Sequence, residues 1–182
     1  TLATSSAASD VYKRQDRQCS VKTITLSKAQ HDYVLSKLKD RAQQGSVEVV
    51  LQDYRDETAL YDNVISCEMI EAVGKEYLEC YFKKIKEVLK KNGIAVLQAI
   101  TIRDSDYKAY SRSCDWIQKN IFPGGHLPSL GIIQKHIDQI DGLEIKNVYS
   151  FGSDYAKTLN LWDENFVQSI CLLYTSPSPR DT

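Results

Sequence analysis

An α/β domain built on a largely parallel sheet is what this 182-residue sequence predicts. Three observations predict it. Short runs rich in β-branched residues alternate with longer segments of helical periodicity, the pattern of successive strand–helix units. The run IAVLQAITI (94–102) is too continuously apolar for a surface strand and suits a central one. A content of 42% hydrophobic and 26% charged residues is that of a soluble globular chain with one core.

The elements follow in order. SVKTITL (20–26) reads as a strand, and Ser27 then stands three residues before Gln30. That is capping-box spacing, in which the hydroxyl satisfies one free amide of the first turn and the amide side chain another. A helix through about Lys39 follows and closes near Gly45. VEVVL (47–51) is the next strand, running into the polar turn QDYRDE, and YDNVIS (61–66) is another. From Glu76 to Lys91, Leu78, Tyr81, Phe82, Ile85, Val88 and Leu89 recur at three- and four-residue intervals, an amphipathic helix stopped at Asn92-Gly93.

The strand 94–102 carries a polar Gln98 inside its apolar run. Beyond it, Tyr107, Tyr110, Cys114, Ile117 and Ile121 fit a helical face between Asp104 and Asn120. FPGGHLPS (122–129) supplies two prolines and two glycines in a structured loop. A helix from Leu130 to Ile140 leads to LEIKNVYSF (143–151), a last strand or strand pair.

Several classes are disfavoured. A net charge of −1 gives no reason for global attraction to nucleic acid or an anionic membrane. Five cysteines without C-x-x-C spacing or a histidine cluster suggest neither a zinc site nor a disulfide frame. With no apolar run of bilayer length and no signal-peptide pattern, a reducing, cytoplasmic setting is expected. Residues 1–15 are small, polar and aperiodic, and 171–182 end in the proline-bearing YTSPSPRDT. Both resemble translated sequencing-library adapter and are expected to lie outside a domain spanning 20–167.

VISCEMIEAVG (64–74) places two carboxylates, Glu68 and Glu71, in an apolar run, where an acid is normally paired, solvated or shifted in pKa. Together with ITLSKAQ (24–30), LQDYRD (51–56), IFPGGHLPS (121–129) and DYAKTLNLW (154–162), in that order and spacing, it resembles the cyclopropane-fatty-acyl-phospholipid synthase family, a branch of the S-adenosylmethionine-dependent methyltransferases. The likeness runs from about Val21 to Phe166. It implies a Rossmann-like class I methyltransferase fold, with a helical cap insertion at about 103–128 over an acyl chain. The family's glycine-rich loop should lie upstream of Val21 and no such motif is there, so a domain truncated on its N-terminal side, inactive by itself, is expected.

The implied chemistry is methyl transfer from S-adenosylmethionine to the double bond of an unsaturated phospholipid acyl chain, giving a cyclopropane or a methyl branch, with peripheral contact at a membrane surface. Methylation of a small amine on the same scaffold, or an inactive cofactor-binding remnant, are the alternatives. By the resemblance, Thr25 and Gln30 contact the ribose, Gln52, Asp53 and Tyr54 the adenine, and Cys67 the methionine side of the cofactor. Read without it, Gln30 only caps a helix, 52–54 are a polar turn and Cys67 is a core thiol. Glu71 falls on the glutamate that helps hold a bicarbonate base, Tyr155 on its tyrosine partner, and Ile100 on a position whose backbone contributes there. Gln98 stands where many bacterial members have histidine, and glutamine can donate a hydrogen bond but cannot titrate. Glu68 receives no role, and His126 lies at a variable-looking spot.

Overall fold

The computed structural model describes residues 2–4, 19–39 and 47–175. It divides into a first unit, Thr1–Glu144, and a second, Ile145–Thr182. The first holds a five-stranded sheet of β1 (Leu2–Thr4), β2 (Val21–Thr25), β3 (Val47–Leu51), β4 (Tyr61–Cys67) and β5 (Leu89–Gln98), in the order β3-β2-β1-β4-β5. Every pairing is parallel.

The middle strand comes from the segment expected outside the fold. Leu2 pairs with Lys22 on one side and Val64 on the other. The facing edges of β2 and β4 need backbone partners, and a short stretch of almost any composition can supply them. The remainder of 1–15, the closure near Gly45 and residues 176–182 lie outside the described residues.

Helix α1 spans Lys28–Lys39. The Ser27 hydroxyl accepts from the Gln30 amide at 3.3 Å, as its spacing predicts. The reciprocal half of the capping box is replaced, because the Gln30 side-chain oxygen accepts from the Thr25 hydroxyl at 2.8 Å instead. Ser27→Ala should therefore lower stability by about 1 kcal/mol in urea denaturation, the usual worth of an N-cap.

After a one-turn helix α2 (Ile70–Val73), helix α3 (Leu78–Val88) buries Leu78, Tyr81, Phe82, Ile85 and Val88, five of the six residues in the stripe read from the sequence. It stops three residues before Lys91. Leu89 turns extended and joins β5 opposite Tyr61. Asn92, at φ 63, and Gly93 form an irregularity between the Tyr61 and Asn63 pairings, rather than a helix cap. A Cβ on Gly93 would lie 3.0 Å from the carbonyl oxygens of Asp62 and Lys90, so the close approach needs glycine.

β5 is an edge strand among the described residues, not the central one expected, and it ends at Gln98. Ile94 and Val96 are 61% and 55% exposed on one of its faces. Continuous apolarity announces that a strand wants cover on both faces but not what provides it. Downstream, the stretch expected as one helical face is split into α4 (Asp104–Tyr110) and α5 (Trp116–Asn120), with 111–115, and Cys114 in it, outside both helices, and α6 spans Leu130–Ile137. Asp115 and Gln118 close a full capping box on α5.

The core gathers Ile24, Val64 and Val88, with Val50, Tyr54, Tyr61, Leu89 and Ala95 packed against them. The same unit holds a buried carboxylate that sequence reading missed. Glu57 is 2% exposed, accepts from the amides of Thr58 and Ala59, and faces Lys22 Nζ at 2.8 Å.

In the second unit, 145–151 contains no strand, contrary to expectation, and 143–144 of the first is equally irregular. Its alternating apolar residues form no ladder among the described residues, and Tyr149 is 80% exposed. Helix α7 follows at Gly152–Thr175. Among the described residues, no helix is long and apolar enough to cross a membrane.

Candidate functional site

Because all the strands run parallel, their carboxyl ends share one edge of the sheet. The register sets Thr25 level with Leu51 and Cys67 level with Gln98. Chain order reverses between β1 and β4, and the crevice above such a switch is where open parallel sheets bind ligands. Gln52, Asp53, Tyr54, Glu68, Glu71 and Ile100 follow closely on these strand ends.

On the β2–β3 side, the Gln52 amide donates to the Thr25 carbonyl at 3.1 Å, tying the two strand ends together. The Thr25 hydroxyl and Gln30 side chain are already paired, which leaves the Gln30 amide nitrogen unclaimed by that bond. Asp53 is heavily engaged: it caps the turn at 54–56 and takes Arg55 through both carboxylate oxygens, at 3.0 and 2.7 Å. The Arg55 guanidinium holds its carboxyl below the usual range despite burial. The polar-turn reading of Asp53 is thus physically realised. Tyr54 is half-buried, its ring edge-on to Tyr81 with centroids 5.9 Å apart, so it also belongs to the core.

On the β4–β5 side the two acids separate. Glu68 adopts φ 51, unusual for a residue with a side chain. Its amide donates to the Gln98 carbonyl and its carboxylate accepts from Gln98 Nε2, both at 2.9 Å. Gln98 is therefore tied to Glu68, the acid to which sequence reading gave no role. Cys67, the neighbour of Glu68 in the chain, is half-buried.

Glu71 is held differently. One carboxyl oxygen accepts from the Ile100 amide at 2.5 Å, so the segment after β5 brings the Ile100 backbone to Glu71. The other, Oε2, is buried and has no hydrogen-bond partner among the described residues. Burial raises the Glu71 carboxyl above its ordinary 4.5; the amides of Ile100 and Glu71 itself oppose this, and the Glu68 charge adds to it.

The loop 122–129 closes over the same place. Its His126 amide donates to the Glu71 carbonyl at 2.8 Å, and His126 is 6% exposed, between Tyr107 and Tyr110. Sequence reading missed this histidine; its only signal was a position between PGG and LP, in a segment stiffened by both prolines. Tyr155 lies in the second unit, in the first turn of α7, 45% exposed.

Residues 9–173 match the family described as Mycolic acid cyclopropane synthetase. The chain belongs to this family. It is 38% identical over 152 residues to the tuberculostearic acid methyltransferase UfaA1 of Mycobacterium tuberculosis, covering 84% of this chain and 36% of that protein. It is 32% identical over 156 residues to the cyclopropane-fatty-acyl-phospholipid synthase of Escherichia coli, covering 86% and 38%. The chain thus spans little more than a third of either relative. The solved structure of mycolic acid cyclopropane synthase CmaA1 with SAH and CTAB superposes with a TM-score of 0.79 at 26% identity, covering 94% of this chain and 65% of that one. The family's Rossmann-like class I methyltransferase fold accounts for the parallel sheet and its switch point.

Proposed function

We propose that the whole protein transfers a methyl group from S-adenosylmethionine to the double bond of an unsaturated acyl chain in a phospholipid, giving a cyclopropane or methyl-branched chain. The carrying observation is Glu71, at the carboxyl edge of the sheet, with one oxygen on the Ile100 amide and the other buried without a partner among the described residues. A buried, unpartnered carboxyl oxygen is costly by itself, and a hydrogen-bonding anion satisfies it.

S-adenosylmethionine, when bound, would supply an electrophilic methyl to the acyl-chain double bond and leave as S-adenosylhomocysteine. In this reading Thr25 and Gln30 hold the ribose and Cys67 lines the methionine side. Gln52, Asp53 and Tyr54 receive the adenine, where Asp53 must share its carboxylate with Arg55. Glu71 and the Ile100 backbone hold bicarbonate, and Gln98, two residues before Ile100, is oriented by Glu68. Bicarbonate, when bound, supplies the base that takes the proton from the added methyl. The cap, 103–128, excludes water from the acyl chain, and the protein works in the cytoplasm as a peripheral partner of the membrane surface. The relatives' names support a lipid substrate.

A second reading, methylation of a small amine, draws on a likeness to coclaurine N-methyltransferase, with a TM-score of 0.53 at 26% identity, covering 70% of this chain and 40% of that one. The exposed Glu68 carboxylate favours it, as a cation would be attracted there. One experiment separates the two. Full-length protein expressed with methyl-labelled S-adenosylmethionine should place label in cyclopropane or methyl-branched acyl chains; label confined to amines, or absent from all products, sinks the lipid reading.

A further inference from the structure

We propose that His126 is a positioning residue, coupling the helical segment 104–121 to the Glu71 carboxyl through the loop 122–129. The proposal rests on the reading of Glu71 given above and adds a residue to which neither the motif nor the fold assigns a role.

The connections form a closed circuit. The Glu71 carbonyl accepts from the His126 amide at 2.8 Å, and the Ile102 amide donates to the Pro128 carbonyl at 3.0 Å, two residues further along the same loop. Ile100, two residues before Ile102, donates to the Glu71 carboxylate. The loop therefore grips both ends of the arrangement that fixes Glu71: the backbone from which its side chain departs, and the strand extension that supplies its amide partner. Gly124, at φ 83, gives the loop its turn, and a Cβ on Gly125 would lie 3.0 Å from the Phe122 carbonyl, so this backbone has little room to relax.

The helical segment is fastened to that circuit at three points. His126 Nε2 and the Tyr107 hydroxyl are 2.9 Å apart, the Leu127 amide donates to the Tyr110 hydroxyl at 3.1 Å, and Gln118 Nε2 donates to the Gly125 carbonyl at 2.8 Å. His126 is the residue that belongs to both sets, its backbone on Glu71 and its imidazole on α4. Both tyrosine rings have centroids 5.5 Å from the imidazole, which fixes its orientation. Movement of α4, in a segment expected to cover the acyl chain, is thereby transmitted to the Glu71–Ile100 bond through a few stiff contacts.

The test uses the full-length protein and two readouts, hydrogen exchange of the Ile100 amide and steady-state kinetics. His126→Ala should speed Ile100 exchange by on the order of tenfold while amides in the middle of β4 keep their rates, and kcat should fall with cofactor affinity unchanged. Tyr107→Phe, which removes only the hydroxyl, should move both readouts in the same direction. His126→Gln, which keeps a hydrogen-bonding group near the position of Nε2, should recover most of the loss. The double variant His126→Ala/Tyr107→Phe should be no worse than His126→Ala. Unchanged Ile100 exchange in Tyr107→Phe, or fully additive effects, overturns the proposal, and Tyr107→Phe decides alone should His126→Ala fail to fold. Coupled exchange in a wild-type protein that labels no lipid would defeat the lipid reading while leaving this coupling standing.

Discussion

Glu71→Gln should lower turnover on the acyl substrate by on the order of a hundredfold while leaving S-adenosylmethionine affinity within about twofold. The substitution separates two jobs of the Glu71 side chain. Glutamine can still accept from the Ile100 amide through its side-chain oxygen, so the local geometry is retained. It cannot exchange a proton at the position of Oε2, the oxygen that lacks a partner among the described residues. If Glu71 does no more than fill space or anchor Ile100, the Glu71→Gln enzyme should run at close to wild-type speed. Stability points the other way. Burial raises the folded-state carboxyl above 4.5, so its contribution to stability is complete below the unfolded value and is lost as pH rises through the folded one. A neutral side chain escapes that loss, and the variant should melt at or above the wild-type temperature at neutral pH. Lower activity with unimpaired stability is the signature of a functional carboxyl; a fall in both would mark Glu71 as structural.

Much of this arrangement is legible in residue pattern, and what is not has identifiable causes. The stripe from Leu78 to Val88 is visible because helical periodicity is a local property, and all five of its members are buried. The break at Asn92-Gly93 is equally visible, but its meaning is not, since a positive φ serves a strand irregularity as readily as a helix cap. Leu2–Thr4 has no pattern that marks a strand, and its place in the sheet is decided by the edges of β2 and β4. The run at 143–151 shows the converse: alternation suited to a strand, in a segment that forms none. At the site, motif order located Glu71 and Ile100, which the structure joins. Glu68 and Gln98 lie thirty positions apart at the ends of adjacent strands, and their bond follows only once the register is known. Gln98, read as a histidine position that has lost its proton chemistry, acquires from that bond a defined orientation and a carboxylate partner.

Glu57→Ala should cost about 3 kcal/mol of folding stability at pH 7, a large share of the roughly 5–15 kcal/mol that holds a domain together. The carboxylate is 2% exposed and carries three partners: the Thr58 amide at 3.0 Å, the Ala59 amide at 2.8 Å and Lys22 Nζ at 2.8 Å. Its removal leaves two amides unpaired and a Lys22 side chain only 20% exposed facing a cavity. The pH dependence follows from the sign of the shift. Burial alone would raise the Glu57 carboxyl, but Lys22 and the amides of Ala59 and Thr58 outweigh it and leave the group below its ordinary 4.5. Stability from this group is therefore present above about 4.5 and is lost as pH falls through the lower folded value. Urea titrations at pH 7 and pH 4 should show the wild type losing more stability on acidification than Glu57→Ala, so that the two converge. Replacing Lys22 and Glu57 together by leucine should cost much less than Glu57→Ala alone, because no charge is then left buried without its counterion. A double variant as unstable as the single one would mean that the amide contacts, not the ion pair, carry the effect.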